Sequence, residues 1–208
     1  METKNAAGRK EKQIILASAS PRRRELLALM GLTFQILPSE KEEIVTGSTP
    51  GEIVENLSFQ KAEDVTARLP WTVREDGQEP DAIVIGSDTI VVCDGEVMGK
   101  PHTQEEAFAM LHRLQGRSHV VYTGVTVMCR AADTITYDTF SESAVVTVHA
   151  MDDAEIRGYI AKGESMDKAG AYGIQGSFAV FVDRIEGEYN TVLGLPVAAL
   201  YQVLKRYL

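Results

Sequence analysis

The amino-acid sequence predicts an α/β protein with a mixed, twisted sheet flanked by helices. Apolar runs of strand length alternate with segments that begin at helix-capping residues, which is the order expected of an α/β fold. Two long strand-like runs, 119–129 and 134–150, follow each other with only a short connection, so some strands must pair antiparallel. With 208 residues, 44% of them hydrophobic, the chain can bury a large core, and we predict a single domain over residues 13–208.

The first predicted elements are a strand, a helix and a second strand. Residues 13–17, QIILA, form a short apolar run that is typical of a buried strand. Ser20 and Pro21 predict the start of a helix, because a serine hydroxyl caps the first turn and proline is well suited to its first position. Gly31 is predicted to end this helix, and residues 33–37 form the second strand.

A longer helix and the centre of the sheet follow. Thr49-Pro50-Gly51-Glu52 has the spacing of a capping box and predicts a helix to about residue 69. Residues 70–81 are rich in proline, glycine and charge, which is typical of a surface loop. The run 82–93, AIVIGSDTIVVC, is predicted as two apolar half-strands interrupted by Gly-Ser-Asp-Thr, followed by a turn at Asp94-Gly95.

The remaining elements are predicted from capping residues and apolar runs in the same way. They are a helix headed by Thr103-x-x-Glu106 and ended by Gly116, the strands 119–129 and 134–150, a helix from Asp152 to Lys162, a strand over 178–185 and a helix from Pro196.

Composition and charge argue against several classes of protein. A formal net charge of −9 disfavours a nucleic-acid polymer as partner, because such binding needs a broad basic face. No apolar stretch reaches the roughly 20 residues that span a bilayer, so we expect no membrane association. Residues 1–12 are polar and lack the apolar segment of a secretory signal, which predicts a disordered tail and a cytoplasmic protein. Cys93 and Cys129 are expected to be buried, reduced thiols.

The common phosphate-binding and metal-binding signatures are absent from the sequence. No G-x-x-x-x-G-K-[ST] or strand-linked G-x-G-x-x-G motif occurs, and the four histidines do not have the spacing of zinc ligands. Instead, a predicted strand runs into Ser18-Ala19-Ser20-Pro21-Arg22-Arg23-Arg24 and a helix. Three arginines in a first helical turn oppose the helix dipole, so this turn favours a bound anion such as a phosphate. A solvated basic surface turn is the alternative interpretation.

The second candidate is Asp88, inside the apolar run 82–93. A carboxylate between Ile85 and Ile90 must be paired, bind a cation or line a cleft, because burying an isolated charge is costly. A carboxylate that lines a cleft can accept a proton from water. The alternative is an aspartate that caps a bulge between two strands.

Two lysines and a glycine-rich segment complete the candidates. Lys61 continues the otherwise apolar i, i+4 series Ile53, Leu57, Lys61, Val65, where it either reaches a phosphate or extends its ammonium group to solvent. Lys100, before Pro101, binds phosphate or is an exposed loop residue. In residues 167–176, DKAGAYGIQG, three glycines permit close approach to a flat ligand, and Gln175 can both donate and accept hydrogen bonds. A plain flexible loop is the alternative there.

Together these segments resemble the Maf family of nucleotide pyrophosphatases, from about residue 14 to residue 204. The shared motifs are A-S-x-S-P-R-R at 17–23, G-S-D-T-I-V at 86–91, G-K-P at 99–101, D-K-A-G-A-Y-G-I-Q-G at 167–176 and G-L-P at 194–196. The resemblance implies an α/β fold of two lobes around a central cleft, similar to the inosine triphosphate pyrophosphatases. It also implies a divalent cation, Mg²⁺ or Mn²⁺, and a homodimer.

The resemblance further implies roles for nine residues of this chain. Asp88 matches the catalytic base and, with Glu43, the metal-site residues; Ser18, Arg22, Arg23, Lys61 and Lys100 match the phosphate contacts; and Arg23, Thr89 and Gln175 match the specificity positions. The expected activity is hydrolysis of dTTP and UTP to the monophosphate and pyrophosphate. The alternatives are a 7-methyl-GTP pyrophosphatase and a nucleotide-binding regulator of septum formation and cell division.

Overall fold

The computed structural model describes residues 12–69, 82–131 and 134–208, so the predicted tail, apart from residue 12, and the predicted loop 70–81 lie outside the described residues. Within the described residues the strands are β1 Gln13–Leu16, β2 Phe34–Ile36, β3 Ala82–Cys93, β4 Glu96–Met98, β5 Ser118–Ala131, β6 Thr134–Val148 and β7 Val182–Glu186. The helices are α1 Pro21–Ala28, α2 Pro50–Arg68, α3 Gln104–Leu114, α4 Asp153–Ile160, α5 Tyr189–Leu193 and α6 Val197–Leu204.

The strands form one mixed sheet, which confirms the predicted fold class. Its order is β2-β1-β3-β5-β6-β7, and β4 pairs with the far end of β3. β1 is parallel to both β2 and β3, whereas the pairs that β3 makes with β4 and β5, and β6 makes with β5 and β7, are antiparallel. The likeness to inosine triphosphate pyrophosphatases, the two-lobed arrangement and the single-domain assignment stay predictions.

The prediction of two half-strands over 82–93 was wrong, because β3 is continuous. It pairs with β5 without a break from Ala82, opposite Arg130, to Val92, opposite Val120. The polar residues Gly86 to Thr89 stay extended because the partner strand satisfies one edge of their backbone throughout. Sequence alone shows the change of polarity but not the neighbouring strand that bridges it.

The long helix α2 lies directly on the sheet. Thr49 and Glu52 form the predicted capping box at its start. A Cβ atom at Gly86 would lie 2.2 Å from the carbonyl oxygen of Ser58, and one at Gly124 would lie 2.2 Å from that of Val54. Two neighbouring strands therefore carry glycine where the helix backbone makes its closest approach.

Several boundaries in the rest of the chain differ from the predictions. Residues 177–181 form a 3₁₀ helix, although a strand was predicted from residue 178, because Phe178 turns into the core against Tyr159 and Tyr172, with ring centroids 5.0 and 4.7 Å away. Only the end of the predicted strand 178–185 pairs with β6. The short helix α5, which has no side-chain N-cap, had no sequence signal. At α3, Thr103 caps Glu106 as predicted, but the Glu106 carboxylate accepts from the N–H of His102 instead of closing the box.

Apolar side chains pack on both faces of the sheet. The largest cluster packs Ile83 and Ile85 with α1, α3, α4 and α6, and two smaller clusters lie under α2. Cys93 and Cys129 are both buried, as predicted. In the described part of the chain, no helix combines the length and the apolar character that crossing a membrane requires.

We predict that Gly124→Ala destabilises the protein by about 3 kcal/mol or more, because the added methyl group collides with helix backbone that cannot rotate away. Gly158→Ala is the matched control, since a Cβ at Gly158 in α4 meets nothing within 4 Å. That control is expected to be neutral or stabilising by up to about 1 kcal/mol, the helix-propensity gain. Urea unfolding of both variants measures the two changes, and equal stabilities would contradict the direct contact of α2 with the sheet.

Candidate active site

A cleft of about 1080 Å³ opens beside the middle of β3. β1 pairs with β3 over residues 82–85, and β4 pairs with it over residues 91–93 on the same edge. Among the strands described here, residues 86–90 therefore have a partner on one edge only, which is β5. The interval between β1 and β4 exposes the centre of the sheet to the cleft.

All nine residues that the sequence analysis assigned to the site line this cleft. They are Ser18, Arg22, Arg23, Glu43, Lys61, Asp88, Thr89, Lys100 and Gln175. They come from the turn before α1, the first turn of α1, the segment before α2, α2 itself, β3, the segment after β4 and the glycine-rich segment. Arg24, the third arginine, is exposed and is not among the lining residues.

Successive residues of β3 face opposite sides of the sheet. Gly86 and Asp88 face α2, while Ser87 and Thr89 face the loop before α6 and the side chain of Arg23. Because no described strand pairs with this edge of β3 at residues 86–90, side chains from both faces of the strand reach the cleft. One short stretch of strand thereby supplies a carboxylate from one face and a hydroxyl from the other.

Lys61 joins the two acidic residues of the site. Its ammonium group donates to Oδ1 of Asp88 and lies 3.0 Å from Oε1 of Glu43. The side chains of Lys61 and Asp88 are each 13% exposed, whereas Glu43 is half exposed. The structure excludes the alternative in which the ammonium group extends to solvent, because it is turned towards Asp88.

The same two carboxylates are the candidate ligands for a divalent cation. Both contact the ammonium group of Lys61, which brings them close to each other on one side of the cleft. Mg²⁺ is commonly bound by one or two carboxylates together with substrate phosphates, so a larger cluster of protein ligands is not required. Among the described residues no group of three or more acidic, histidine or cysteine side chains is arranged to hold a metal.

Arg23 is held by protein acceptors on the side of the cleft opposite Lys61. Its Nε donates to the carbonyl of Gly194 at 2.8 Å, Nη1 to Ser18 at 3.3 Å and Nη2 to Thr89 at 3.0 Å. Burial lowers the pKa of the Arg23 guanidinium, and the charge of Asp88 acts in the opposite direction. Each terminal nitrogen carries a second N–H, so the oriented guanidinium can still donate to an anion.

A chain of hydroxyl groups fixes Thr89 and through it Arg23. Thr89 Oγ1 lies 3.0 Å from the hydroxyl of Thr123, which donates to the carbonyl of Thr191 at 2.7 Å. Ser87 donates to the Gly194 carbonyl that also accepts from Arg23. Neither Thr123 nor Thr191 was predicted to belong to the site, and the nearest sequence signal is the G-L-P motif at 194–196.

The glycine-rich segment 167–176 is folded onto the core, not a plain flexible loop. Gly170 has a φ of +68° and donates its N–H to the carbonyl of Gly99, next to Lys100. Tyr172 is buried, while Gln175 is exposed at the cleft. The backbone after Gln175 is held by Glu164, whose carboxylate accepts from the N–H of Ser177 at 3.1 Å. Gln175 therefore projects from a backbone that is held on both sides.

A buried histidine contacts the side of this segment that faces the core. Nε2 of His119, in β5, lies 2.7 Å from the hydroxyl of Tyr172, and its Nδ1 has no hydrogen-bond partner among the described residues. Burial lowers the pKa of His119 to about 4. Burial also raises the pKa of the Tyr172 hydroxyl. Both side chains are therefore neutral near pH 7, and the pair acts as a structural support of the cleft wall.

Comparisons with known proteins agree with the motifs. The family model described as Maf-like protein matches residues 13–207. A protein of Agathobacter rectalis named dTTP/UTP pyrophosphatase is 46% identical, over 93% of this chain and 97% of that protein. Proteins of the same name from a Thermoanaerobacter species and from Bacillus cereus are 47% and 43% identical, over 93% and 96% of this chain and 96% and 92% of their own lengths.

We predict that stability decreases as the pH falls from about 6.5 towards 4, and that His119→Gln reduces this dependence. The unfolded histidine binds a proton near pH 6.5, whereas the folded one binds it only near pH 4, so protons favour the unfolded state in this window. Between roughly pH 7 and pH 5, protonation of this histidine in the unfolded state lowers the free energy of unfolding by about 2 kcal/mol.

Urea unfolding across this pH range gives the free energy of unfolding as a function of pH. The difference between the slopes for wild type and variant measures the contribution of His119. His112→Gln is the control, because that side chain is 58% exposed. Parallel curves for wild type and His119→Gln would show that His119 is not held neutral in the folded protein.

Proposed function

Since the chain belongs to the Maf-like protein family, we propose that it hydrolyses nucleoside triphosphates to the monophosphate and pyrophosphate. The observation that carries the proposal is the placement of Asp88 on the unpaired edge of β3, between Lys61 and the cationic side chain of Arg23. A carboxylate that can accept a proton and a set of cations that can hold phosphates share one cleft. The relatives named dTTP/UTP pyrophosphatase support the same conclusion.

Asp88 is proposed as the general base. Lys61 engages its Oδ1, which leaves Oδ2 to accept a proton from a water molecule in the cleft. That water attacks the α-phosphorus and forms a new P–O bond as the bond to the β-phosphate oxygen breaks. The products are a nucleoside monophosphate and pyrophosphate, and the proton passes from water to Asp88.

The cationic residues are proposed to stabilise the leaving pyrophosphate, on which negative charge develops as the bond breaks. Arg23 is oriented for this role by Ser18, Thr89 and the Gly194 carbonyl, so little reorganisation is needed when the substrate binds. Arg22, Lys61 and Lys100 line the same cleft and add positive charge around the phosphates. Ser18 contributes a buried hydroxyl at the start of α1.

A divalent cation, Mg²⁺ or Mn²⁺, is proposed to be held by Asp88 and Glu43 together with the phosphates of the substrate. When bound, it would neutralise phosphate charge and increase the acidity of a bound water molecule. The contact of both carboxylates with the same Lys61 ammonium group supports this assignment, because it brings Asp88 and Glu43 close to each other. Homodimer formation and a cytoplasmic location are further proposals, based on the family resemblance and on composition.

The preferred bases are proposed to be uracil and thymine, as in the names of the relatives. These bases present an acceptor, a donor and an acceptor at O2, N3–H and O4. The Gln175 amide can donate to O4 and accept from N3–H, but a flipped amide would suit cytosine as well. Selectivity therefore requires fixed backbone groups, and the Glu164 contact to Ser177 supports a fixed orientation of the backbone beside Gln175.

We predict that Asp88→Asn lowers kcat for UTP by roughly 100-fold or more, the usual scale for loss of a general base. The amide cannot accept the proton from water, which is why turnover falls. Because the amide has the shape of the carboxylate, the variant is expected to remain folded. Pyrophosphate release with saturating Mg²⁺ measures the effect, and circular dichroism checks the fold.

Asp94→Asn serves as the control for this substitution. Asp94 lies in the turn after β3 with a φ of +52°, a conformation that asparagine tolerates, and it does not line the cleft. A folded Asp88→Asn protein with wild-type turnover would remove Asp88 from the mechanism. A wild-type protein that releases no pyrophosphate from any triphosphate would instead support the nucleotide-binding regulator.

We predict that UTP and dTTP are preferred over CTP and that Gln175→Ala reduces this preference by about 1–3 kcal/mol, the range for paired contacts to a base. The measurement is kcat/KM for UTP, dTTP, CTP and 7-methyl-GTP. Gln202→Ala, an exposed glutamine of α6 outside the cleft lining, is the control. The base assignment fails if 7-methyl-GTP is the best wild-type substrate, or if Gln175→Ala slows UTP and CTP equally.

A further inference from the structure

The segment that carries Glu43 is bound along α2 by polar side chains of that helix. We call residues 38–46 the strap. Four α2 side chains bind its backbone in turn: Arg68 donates to the Pro38 carbonyl, Asp64 accepts from the N–H of Glu40 at 3.0 Å, Gln60 pairs with Ile44, and Asn56 donates to the Thr46 carbonyl at 3.1 Å. The strap therefore runs antiparallel to α2. The helix residues that bind it recur at every fourth position, so they lie along one side of the helix.

Gln60 makes the most complete of these contacts. Its amide nitrogen donates to the carbonyl of Ile44 at 2.7 Å, and its amide oxygen accepts from the N–H of Ile44 at 2.9 Å. Both polar groups of one peptide residue are satisfied by one side chain, which fixes the direction of the strap as well as its position. Glu43 is the residue immediately before Ile44.

Gln60 and Lys61 are neighbours on α2 and act on neighbours in the strap. Gln60 holds the backbone of Ile44, while Lys61 lies 3.0 Å from the carboxylate of Glu43. The side chain of Ile44 is 62% exposed, so it is not buried in the core. The backbone bonds of Gln60 thus determine where the Glu43 carboxylate stands relative to Asp88.

The strap is held by polar contacts with α2 and not by apolar packing. Residues 40–49 are all exposed, so none of them is anchored in an apolar core. Pro38, Ser39, Glu43 and Val45 line the cleft, and the strap is therefore one of its walls. A segment of this kind is positioned by its hydrogen bonds, and their loss changes local order more than global stability.

We propose that Gln60 is a positioning residue for the cation site: through both hydrogen bonds to Ile44 it holds Glu43 where it and Asp88 can share one divalent cation. The proposal rests on the proposed function. In this role Gln60 itself contacts neither substrate nor cation. Helix α2 is then the common support of Lys61 and Glu43.

The test is Gln60→Ala, followed by two measurements. The Mg²⁺ concentration for half-maximal pyrophosphate release from UTP should rise about tenfold, the scale of losing two modest hydrogen bonds, while kcat at saturating Mg²⁺ stays within about twofold of wild type. Binding of Mn²⁺ to the protein with α,β-imido-UTP, followed by the electron paramagnetic resonance of free Mn²⁺, should weaken by the same factor. The melting temperature should remain close to that of wild type.

A double-mutant cycle separates positioning of Glu43 from a general effect on the fold. In a Glu43→Gln background, Gln60→Ala should add little, because the carboxylate that Gln60 positions is already lost. Glu63→Gln is the matched control on the same helix, since it contacts the strap only through the exposed side chain of Lys41 and should leave Mn²⁺ binding unchanged.

Unchanged Mn²⁺ affinity in Gln60→Ala, or an equal effect of Gln60→Ala with and without Glu43, overturns the proposal. If the enzyme still hydrolyses UTP, either of these results overturns the role of Gln60 but leaves the proposed function intact. If wild type releases no pyrophosphate, the proposed function fails first, and the Mn²⁺ titration still decides whether Gln60 positions a cation site.

Discussion

The unpaired edge of β3 is the constraint on which the rest of the site depends. β5 pairs with β3 from Ala82 to Val92, so residues 86–90 can remain extended although β1 and β4 leave the other edge open. An extended strand places alternate side chains on opposite faces. Asp88 therefore meets Lys61 from one face, while Thr89 meets Arg23 from the other, and both groups reach the same cleft.

The close contact of α2 with the sheet turns this edge into a site with a defined charge distribution. Glycine at positions 86 and 124 lets the helix backbone rest on two strands, and this brings Lys61 within reach of Asp88. The same helix binds the segment that carries Glu43. Arg23 approaches from the other side through α1 and the Gly194 carbonyl, so positive and negative groups surround one space.

Three of the candidate site residues stood out against their local sequence, whereas Glu43 and Thr89 were assigned only through the family resemblance. Asp88 interrupts an apolar run, Arg23 opposes a helix dipole, and Lys61 lies on an apolar helical stripe. Their contacts were not predictable from those signals. The structure shows Lys61 on two carboxylates and Arg23 on three protein acceptors, because the partners come from elements far away in the chain. Thr123, Thr191 and Gln60 had no local signal, since their importance is entirely in what they contact.

The sequence by itself determined the helix starts at Pro21, Pro50, Gln104 and Asp153, and the start of the last helix to within one residue. It also determined the turn at Asp94-Gly95 and the mixed α/β class, because caps, turns and apolar periodicity act within a few residues. Only the tertiary structure decided that β3 is continuous, that residues 177–181 turn into a 3₁₀ helix and that nine separated residues line one cleft. These features depend on the neighbouring strand, on the packing of Phe178 and on the approach of α2. Such long-range contacts are specified by the whole chain and by no single segment of it.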